Sequence, residues 1–360
     1  MSDTVLVTGA FGLVGSATVR QLIVDGRKVV ATDLDTAANR KAAARFTGLR
    51  NIQTRWADLT DADDVDALIH EARPAAIVHL AAVIPPFCYA HRALARAVNV
   101  GATKSLVRSA QALPQPPRFV QASSTAVYGA RNPHRTNDLL RPCTPTRPCD
   151  NYGTHKVEAE KIIRDSELQW LILRLGGVAF TEFRFDMNRD LLFFEGMLPT
   201  DGRIQTVDVR DVAAALISAT TVDVTGEVLV IGGDDSHRNR QGGLAPAVTG
   251  AIGVAGMLPA GRPGDPRSAT DWFATDWMDS SRAQSLLSFQ RHSWPDMLAE
   301  IAENVGWKRY PLRVAAPLGA QYFRRRAPRS GRSNGYADPW GDIRKRWGEP
   351  SPDTPDAAAI

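Results

Sequence analysis

Apolar and polar positions follow two different periods along the first half of the chain. Short apolar runs recur: TVLVT (4–8), KVVATD (28–33), IQTRWADL (52–59), AAIVHLAA (75–82), RFVQASS (118–124) and WLILRL (170–175). Stretches with helical spacing separate them. In GLVGSATVRQLIVDG (12–26), Gly15, Val19, Leu22 and Ile23 fall at i, i+4, i+7 and i+8, one face of a helix that Gly26 can end. DADDVDALIHEA (61–72) opens with acids, which suits the positive end of a helix dipole. A long helical run reaches about Leu113, and another holds Tyr152. Apolar strands alternating with helices predict an α/β fold, a parallel sheet covered on both faces. Past residue 180 the pattern loosens. RIQTVDV (203–209), VAAALISAT (212–220) and EVLVIGG (227–233) still read as strand, helix and strand. Residues 234–275, rich in Gly, Pro and Arg, read as loops, and a further helix is expected near 294–305. From about residue 315 Pro, Gly, Arg and Ser dominate, and no fold is predicted for that tail.

Bulk composition narrows the picture. The 360 residues, 44% hydrophobic, suffice for one large α/β domain or a core domain with a smaller lobe. No run approaches ~18 consecutive apolar residues, so no membrane span is predicted. The start of the chain enters a strand pattern directly and does not read as a secretory signal. Cys88, Cys143 and Cys149 are odd in number and lack zinc-site spacing, which indicates a reduced, cytoplasmic protein without a structural metal. The net charge of +4 is uneven. RRRAPRSGR (324–332) and RKR (344–346) concentrate it near the end, so the main body gives no sign of nucleic-acid binding.

Candidate chemistry begins with TGAFGLVG (8–15). Gly9, Gly12 and Gly15 lie between the first strand and the first helix, where backbone can approach a pyrophosphate and the helix N-terminus offers free N–H groups. The spacing is G-x-x-G-x-x-G rather than G-x-G-x-x-G. Phe11, Leu13 and Val14 belong to the same turn. Asp33 ends the second strand, where a carboxylate accepts bonds from ribose hydroxyls and repels a 2′-phosphate. This favours NAD, while Arg40 and Lys41 nearby leave NADP open. Asp58 and Leu59, in ADL after the third strand, are placed to meet the adenine. Leu80, Ala81 and Ala82 put small residues after the fourth strand, where a cofactor can pass close to backbone; His79 reads as a strand residue. In DNYGTHK (150–156), Tyr152 and Lys156 are four apart and share one helix face.

Taken in order, TGAFGLVG, Asp33, ADL, HLAA (79–82), NVGAT (99–103), SSTAVYG (123–129), YGTHK (152–156), LRLGGVAF (173–180) and VDVRDVA (207–213) make the chain resemble the extended short-chain dehydrogenase/reductases, the NAD-dependent epimerase/dehydratase family. MDSSRAQSLLSF (278–289) is similar to the segment before that family's last helices, and the resemblance covers roughly residues 4–307. It implies a Rossmann-type doubly wound parallel sheet that binds NAD(P), spanning 1–175 with later segments at 203–233. It also implies a smaller C-terminal substrate lobe, mainly 176–310. A basic tail, 311–360, lies outside it and is expected to be flexible and to add little core. Tyr152 matches the family's proton-transferring tyrosine, Lys156 its partner and Ser124 the catalytic hydroxyl; Asn99 matches an asparagine of the long helix and reads as structural. A homodimer through two long helices is expected by the same analogy.

Those residues suit hydride transfer at a hydroxyl or carbonyl carbon of a small-molecule substrate. A free tyrosine, with a pKa near ~10, is a poor base at neutral pH. A neighbouring ammonium is expected to lower it, so that Tyr152 takes or gives the hydroxyl proton while Ser124 orients the substrate oxygen. Lys156 is also placed to hold ribose hydroxyls.

The departures matter as much. Dehydratase members carry an acidic pair after the catalytic hydroxyl residue, where this chain has Thr125 and Ala126. Nucleotide-sugar members carry an asparagine at the position of Gly177, and Arg210 stands where an acid is usual. Arg184, Arg189, Arg203 and Arg210 remain as candidate anion-binding groups or solvated surface charges, and FCYAHR (87–92) reads equally as cleft lining or as core. The reading is therefore a net NAD(P)-dependent oxidoreductase. The alternatives are a nucleotide-sugar epimerase and an NAD-sensing or scaffold protein without turnover.

Overall fold

The computed structural model describes residues 3–182, 189–258, 260–326, 332 and 334–353. The first half runs β1 (Thr4–Thr8), α1 (Leu13–Val24), β2 (Lys28–Asp33), α2 (Ala37–Ala43), β3 (Ile52–Trp56), α3 (Ala62–Ala72), β4 (Ala76–His79), α4 (Phe87–Ala90), α5 (Arg92–Arg96), α6 (Ala102–Gln111), β5 (Arg118–Ser124), α7 (Asn151–Arg164) and β6 (Trp170–Leu175). The second half runs β7 (Gly177–Ala179), α8 (Arg189–Met197), β8 (Arg203–Asp208), α9 (Val209–Ala219), β9 (Glu227–Ile231), β10 (Arg238–Arg240), α10 (Gln241–Ile252), α11 (Ser281–Leu287), α12 (Trp294–Val305), α13 (Arg309–Arg326) and α14 (Pro339–Trp347).

Seven strands form one sheet in the order β3-β2-β1-β4-β5-β6-β9, every pair parallel. Successive side chains of a strand point to opposite faces. Val5 and Val7 accordingly enter a core beneath α1, α9 and α11, while Leu6 enters a second core with Leu68, Leu106 and Ile163 of α3, α6 and α7. Both faces of the central strands are thus buried among apolar side chains, which explains their near-continuous hydrophobic runs. The strand order reverses between β1 and β4, opening the crevice at their carboxyl ends where such sheets receive ligands.

Three readings change. The run 203–209 does form a strand, but β8 leaves the parallel sheet for a small one, parallel to β7 and antiparallel to β10; α9 and β9 alone return to the main sheet. The stretch read as loops holds α10, which continues through Pro246. The tail departs furthest from expectation. Asp338 caps α14, Pro339 occupies its first turn, and Ile343 is fully buried against Tyr89, Phe194 and Leu198. Among the described residues no helix is long and apolar enough to cross a membrane, and no group of three or more His, Cys, Asp or Glu is placed to hold a metal ion.

Candidate active site

The glycine turn leads from β1 into α1 at the crevice. Gly9 has φ of 62°, and a Cβ there would sit 2.8 Å from the Ala81 nitrogen. At Gly15 a Cβ would meet the Gly9 carbonyl at 2.1 Å, so any side chain would push α1 off the turn. Gly12 is the N-cap of α1 and offers no side-chain acceptor, which leaves the first N–H groups of a 12-residue helix without a cap from the protein. Leu13 is exposed beside them and Val14 half-buried. A backbone cradle with free donors fits a dinucleotide pyrophosphate.

Neighbouring residues complete the cradle. Asp33 Oδ2 accepts the Phe11 N–H at 3.0 Å, and Oδ1 accepts from Asn39 at 3.0 Å and Leu34 N–H at 2.9 Å. Burial raises its pKa, and these bonds draw it back. The Phe11 ring packs on Phe46 and Trp56. Arg40 is paired with Asp35 in two bonds of 2.5 and 2.7 Å, pointing its charge at that carboxylate. Leu80 and Ala81 donate their N–H groups to Thr8 Oγ1, which fixes the loop carrying Leu80, Ala81 and Ala82 against β1. Asp58 binds Thr60 through both its N–H and its hydroxyl and so serves its own turn, with Leu59 buried behind it. His79 is buried between Thr8 and Thr103, and burial takes its pKa down to about 3.

Ser124 ends β5, and its Oγ accepts the Ala126 N–H at 3.1 Å. Tyr152 lies in the first turn of α7, buried, with the Ser124 hydroxyl as the neighbour that eases its proton off. Burial pushes the phenol well up, and Cys88 and Asp150 push the same way. The Lys156 ammonium donates to the Ala122 carbonyl at 2.8 Å and stands 5.7 Å from the Tyr152 ring centroid. Burial pulls Lys156 itself down to about 8, with Glu160 acting in the opposite sense.

Two buried networks hold these residues in place. Asp150, the N-cap of α7, accepts the Gly153 N–H at 2.8 Å and the Tyr89 hydroxyl at 2.7 Å. Burial raises its pKa to about 6. Beneath the β5 loop, Glu160 takes two bonds from Arg174, at 2.8 and 2.7 Å, and one from Ser123 at 2.6 Å, while Arg174 also donates to the Tyr128 hydroxyl at 2.9 Å. Asn99 is buried and exchanges two bonds with the Val83 backbone, a structural clasp between its helix and the loop after β4.

A mixed wall closes this side. Tyr89, Tyr152, Phe194, Leu198 and Ile343 share one apolar cluster, with Phe273, Trp340 and Trp347 packed on it. Sequence reading left FCYAHR open between cleft and core: Tyr89 lies in the cluster and reaches Asp150. It missed α14, although an Asp-Pro pair before PWGDIRKRW is a helix-start signal. The candidate anion-binding arginines fare differently. Arg203 is buried against Asp276 at 2.7 Å, and Arg210 is held by Asp208 and Glu300. Arg184 lies outside the described residues, and Arg189 begins α8. Gly177 lies in β7, where a Cβ would meet Ile204 Cδ1 at 3.1 Å.

Comparison with known proteins places this architecture. The NAD dependent epimerase/dehydratase family model matches residues 5–179. UDP-glucose 4-epimerase 4 of Oryza sativa subsp. japonica is 34% identical over 190 residues, 48% of each chain, so the match spans about half the length of that relative. The dTDP-glucose 4,6-dehydratase of Neisseria gonorrhoeae is 29% identical over 262 residues, 65% of this chain and 74% of its own. The solved UDP-glucuronic acid 4-epimerase of Bacillus cereus shares the fold with a TM-score of 0.66 at 20% identity, over 84% of this chain and 98% of its own. The glycine turn, Ser124, Tyr152 and Lys156 all lie inside the matched span, and over these residues the chain belongs to the NAD dependent epimerase/dehydratase family.

Proposed function

We propose that the protein is an NAD-dependent nucleotide-sugar epimerase, using Tyr152, Ser124 and Lys156 at the mouth of the β1/β4 crevice. The carrying observation is that Tyr152 has the Ser124 hydroxyl as its neighbour at the end of β5, within the residues that the family model matches, and that a relative 34% identical to this chain is named UDP-glucose 4-epimerase 4. Bound NAD+ would supply a two-electron acceptor that returns its hydride within the turnover. The protein's part is proton control. Ser124 holds the reacting sugar oxygen, Tyr152 takes its proton as the hydroxyl becomes a carbonyl and gives it back from the same atom on reduction, and Lys156 supplies positive charge beside it. Asp33 takes the adenosine ribose and the glycine turn the pyrophosphate, with NAD preferred over NADP because Arg40 is engaged by Asp35.

Loss of water is disfavoured, because the positions after Ser124 hold Thr125 and Ala126, both buried and neither acidic. Net oxidation of a simpler hydroxyl compound is the second reading. Gly177 favours it, since no side chain there reaches a sugar nucleotide's diphosphate, and Arg203 and Arg210 are committed to carboxylates. The relatives support the epimerase better. A cytoplasmic setting and a homodimer remain part of the proposal. Incubating the protein with UDP- and dTDP-sugars and NAD, while following NADH absorbance and product stereochemistry, separates the readings. Inverted sugar without net NADH supports epimerisation; NADH accumulating with a ketone product would replace it with the second reading.

A further inference from the structure

From Asn304 to Ala337 the sequence holds eight Lys or Arg residues and no Asp or Glu. The whole chain carries +4, so the remainder is net negative by four. This segregated charge begins on α13 and the turn before it. The inner face of α13 packs Leu312 and Ala316 on Ile252 and Val305, so the helix is docked on α10 and α12. The outer face shows Trp307 (74% exposed), Tyr310 (61%) and Val314 (82%). These lie at i, i+3 and i+7, one exposed stripe, and the last is the least covered large apolar residue among the described residues. Lys308, Arg309 and Arg313 flank the stripe, all exposed. Arg309 stacks on Tyr310, and Lys308 and Arg313 make no ion pair among the described residues. A groove of about 540 Å³ runs beside the stripe, lined by Gly250, Gly253, Arg309, Arg313, Pro317 and Ala320.

An aromatic and apolar stripe fringed with arginines on a docked helix has the chemistry of a surface that lies in the headgroup region of a bilayer. Trp and Tyr rings enter the interface, and the cations meet anionic phosphates. We propose that α13 and the preceding turn are a peripheral docking surface for anionic phospholipid. Nucleic acid would use the same cations, but it has no use for an exposed Val314 and Trp307 on the same face. The short stripe and its reliance on cations make the attachment reversible and dependent on salt.

The test is flotation of the full chain with vesicles of phosphatidylcholine alone or with a quarter phosphatidylglycerol, at roughly 50 mM and roughly 500 mM salt. Flotation with the anionic vesicles at low salt only is expected. Two triple variants dissect it: Lys308→Gln with Arg309→Gln and Arg313→Gln, and Trp307→Ser with Tyr310→Ser and Val314→Ser. Each is expected to weaken partitioning by more than about tenfold. Single changes at the exposed Arg313 and Val314 serve if a triple variant melts early, each with a smaller loss. No flotation at low salt overturns the proposal. So does binding to duplex DNA that matches vesicle binding and survives loss of the apolar stripe.

Discussion

Asp353 Oδ2 lies 2.6 Å from His155 Nε2, joining positions 198 residues apart and tying the last described residue to the helix that carries Tyr152. Arg92 reinforces the tie, reaching the Glu349 and Ser351 carbonyls and the Asp353 carboxylate, while the Asn151 N–H donates to Pro350 at 2.9 Å. Burial lowers the His155 pKa, and the Asp353 contact opposes it.

The tail is therefore part of the folded body. Deleting residues 338–360 should lower the melting temperature and expose the wall around Tyr152. Ile343→Ala alone should cost about 2–5 kcal/mol, as for other large-to-small changes at fully buried positions. Urea unfolding of both proteins measures this. An unchanged midpoint in each would show that the segment does not contribute to the core.

Turnover should depend on the phenol and not on its ring. Tyr152→Phe keeps the packing but cannot carry a proton, so activity should fall by about 10²–10⁴-fold while cofactor binding persists. Ser124→Ala should also lower activity, and it removes the acceptor for the Ala126 N–H. Retained turnover in Tyr152→Phe would remove this residue from the proton path. Calorimetric titration with NAD provides the control for binding.

Cofactor choice should follow Asp33. NAD should bind more tightly than NADP, and Asp33→Ala should cost NAD about 1.5–3 kcal/mol, the range for hydrogen bonds to a charged group. The same change frees the Phe11 N–H, so a melting curve of the variant must accompany the titration. Tighter NADP binding in the unmodified protein would mean that Lys41, or an Arg40 released from Asp35, controls the site.

Asp150 should leave a signature in pH. Its pKa rises from 3.8 to about 6 on folding, so the folded protein holds this proton more tightly than the unfolded chain. That contribution to stability is fully present below about pH 4 and is lost as pH rises through 6; it is on the order of 3 kcal/mol. Asp150→Asn keeps a capping side chain without the titration. The stability of the parent relative to this variant should thus improve on going from pH 7 to pH 4. Parallel pH profiles from chemical denaturation would contradict the shift.

Much of the fold was legible because each local demand is written in a residue type. Short, near-continuous apolar runs marked the strands of the main sheet. Gly9 and Gly15 announced a turn with no room for a Cβ, which the approach of Ala81 and of the Gly9 carbonyl explains. The helix expected near 294–305 is α12, Trp294–Val305, with Ser293 as its cap. Other features depend on distant partners. A strand such as β8 looks the same whether it joins one sheet or another, since only its neighbours β7 and β10 decide. The tail's composition concealed α14 because its few apolar residues, Trp340, Ile343 and Trp347, find their partners in α4, α7 and α8. Spacing put Lys156 and Tyr152 on one face, but it could not show that the Ala122 carbonyl, far away in sequence, receives the ammonium.

The position of α14 also sets an order of assembly. During synthesis every strand of the parallel sheet has been made once Ile231 is joined, yet Ile343 follows roughly 110 residues later, about 5–20 seconds at usual elongation rates. For that interval a nascent chain can carry the finished glycine turn with an unfinished wall behind Tyr152. The crevice therefore matures in two stages, its glycine turn before the wall behind Tyr152.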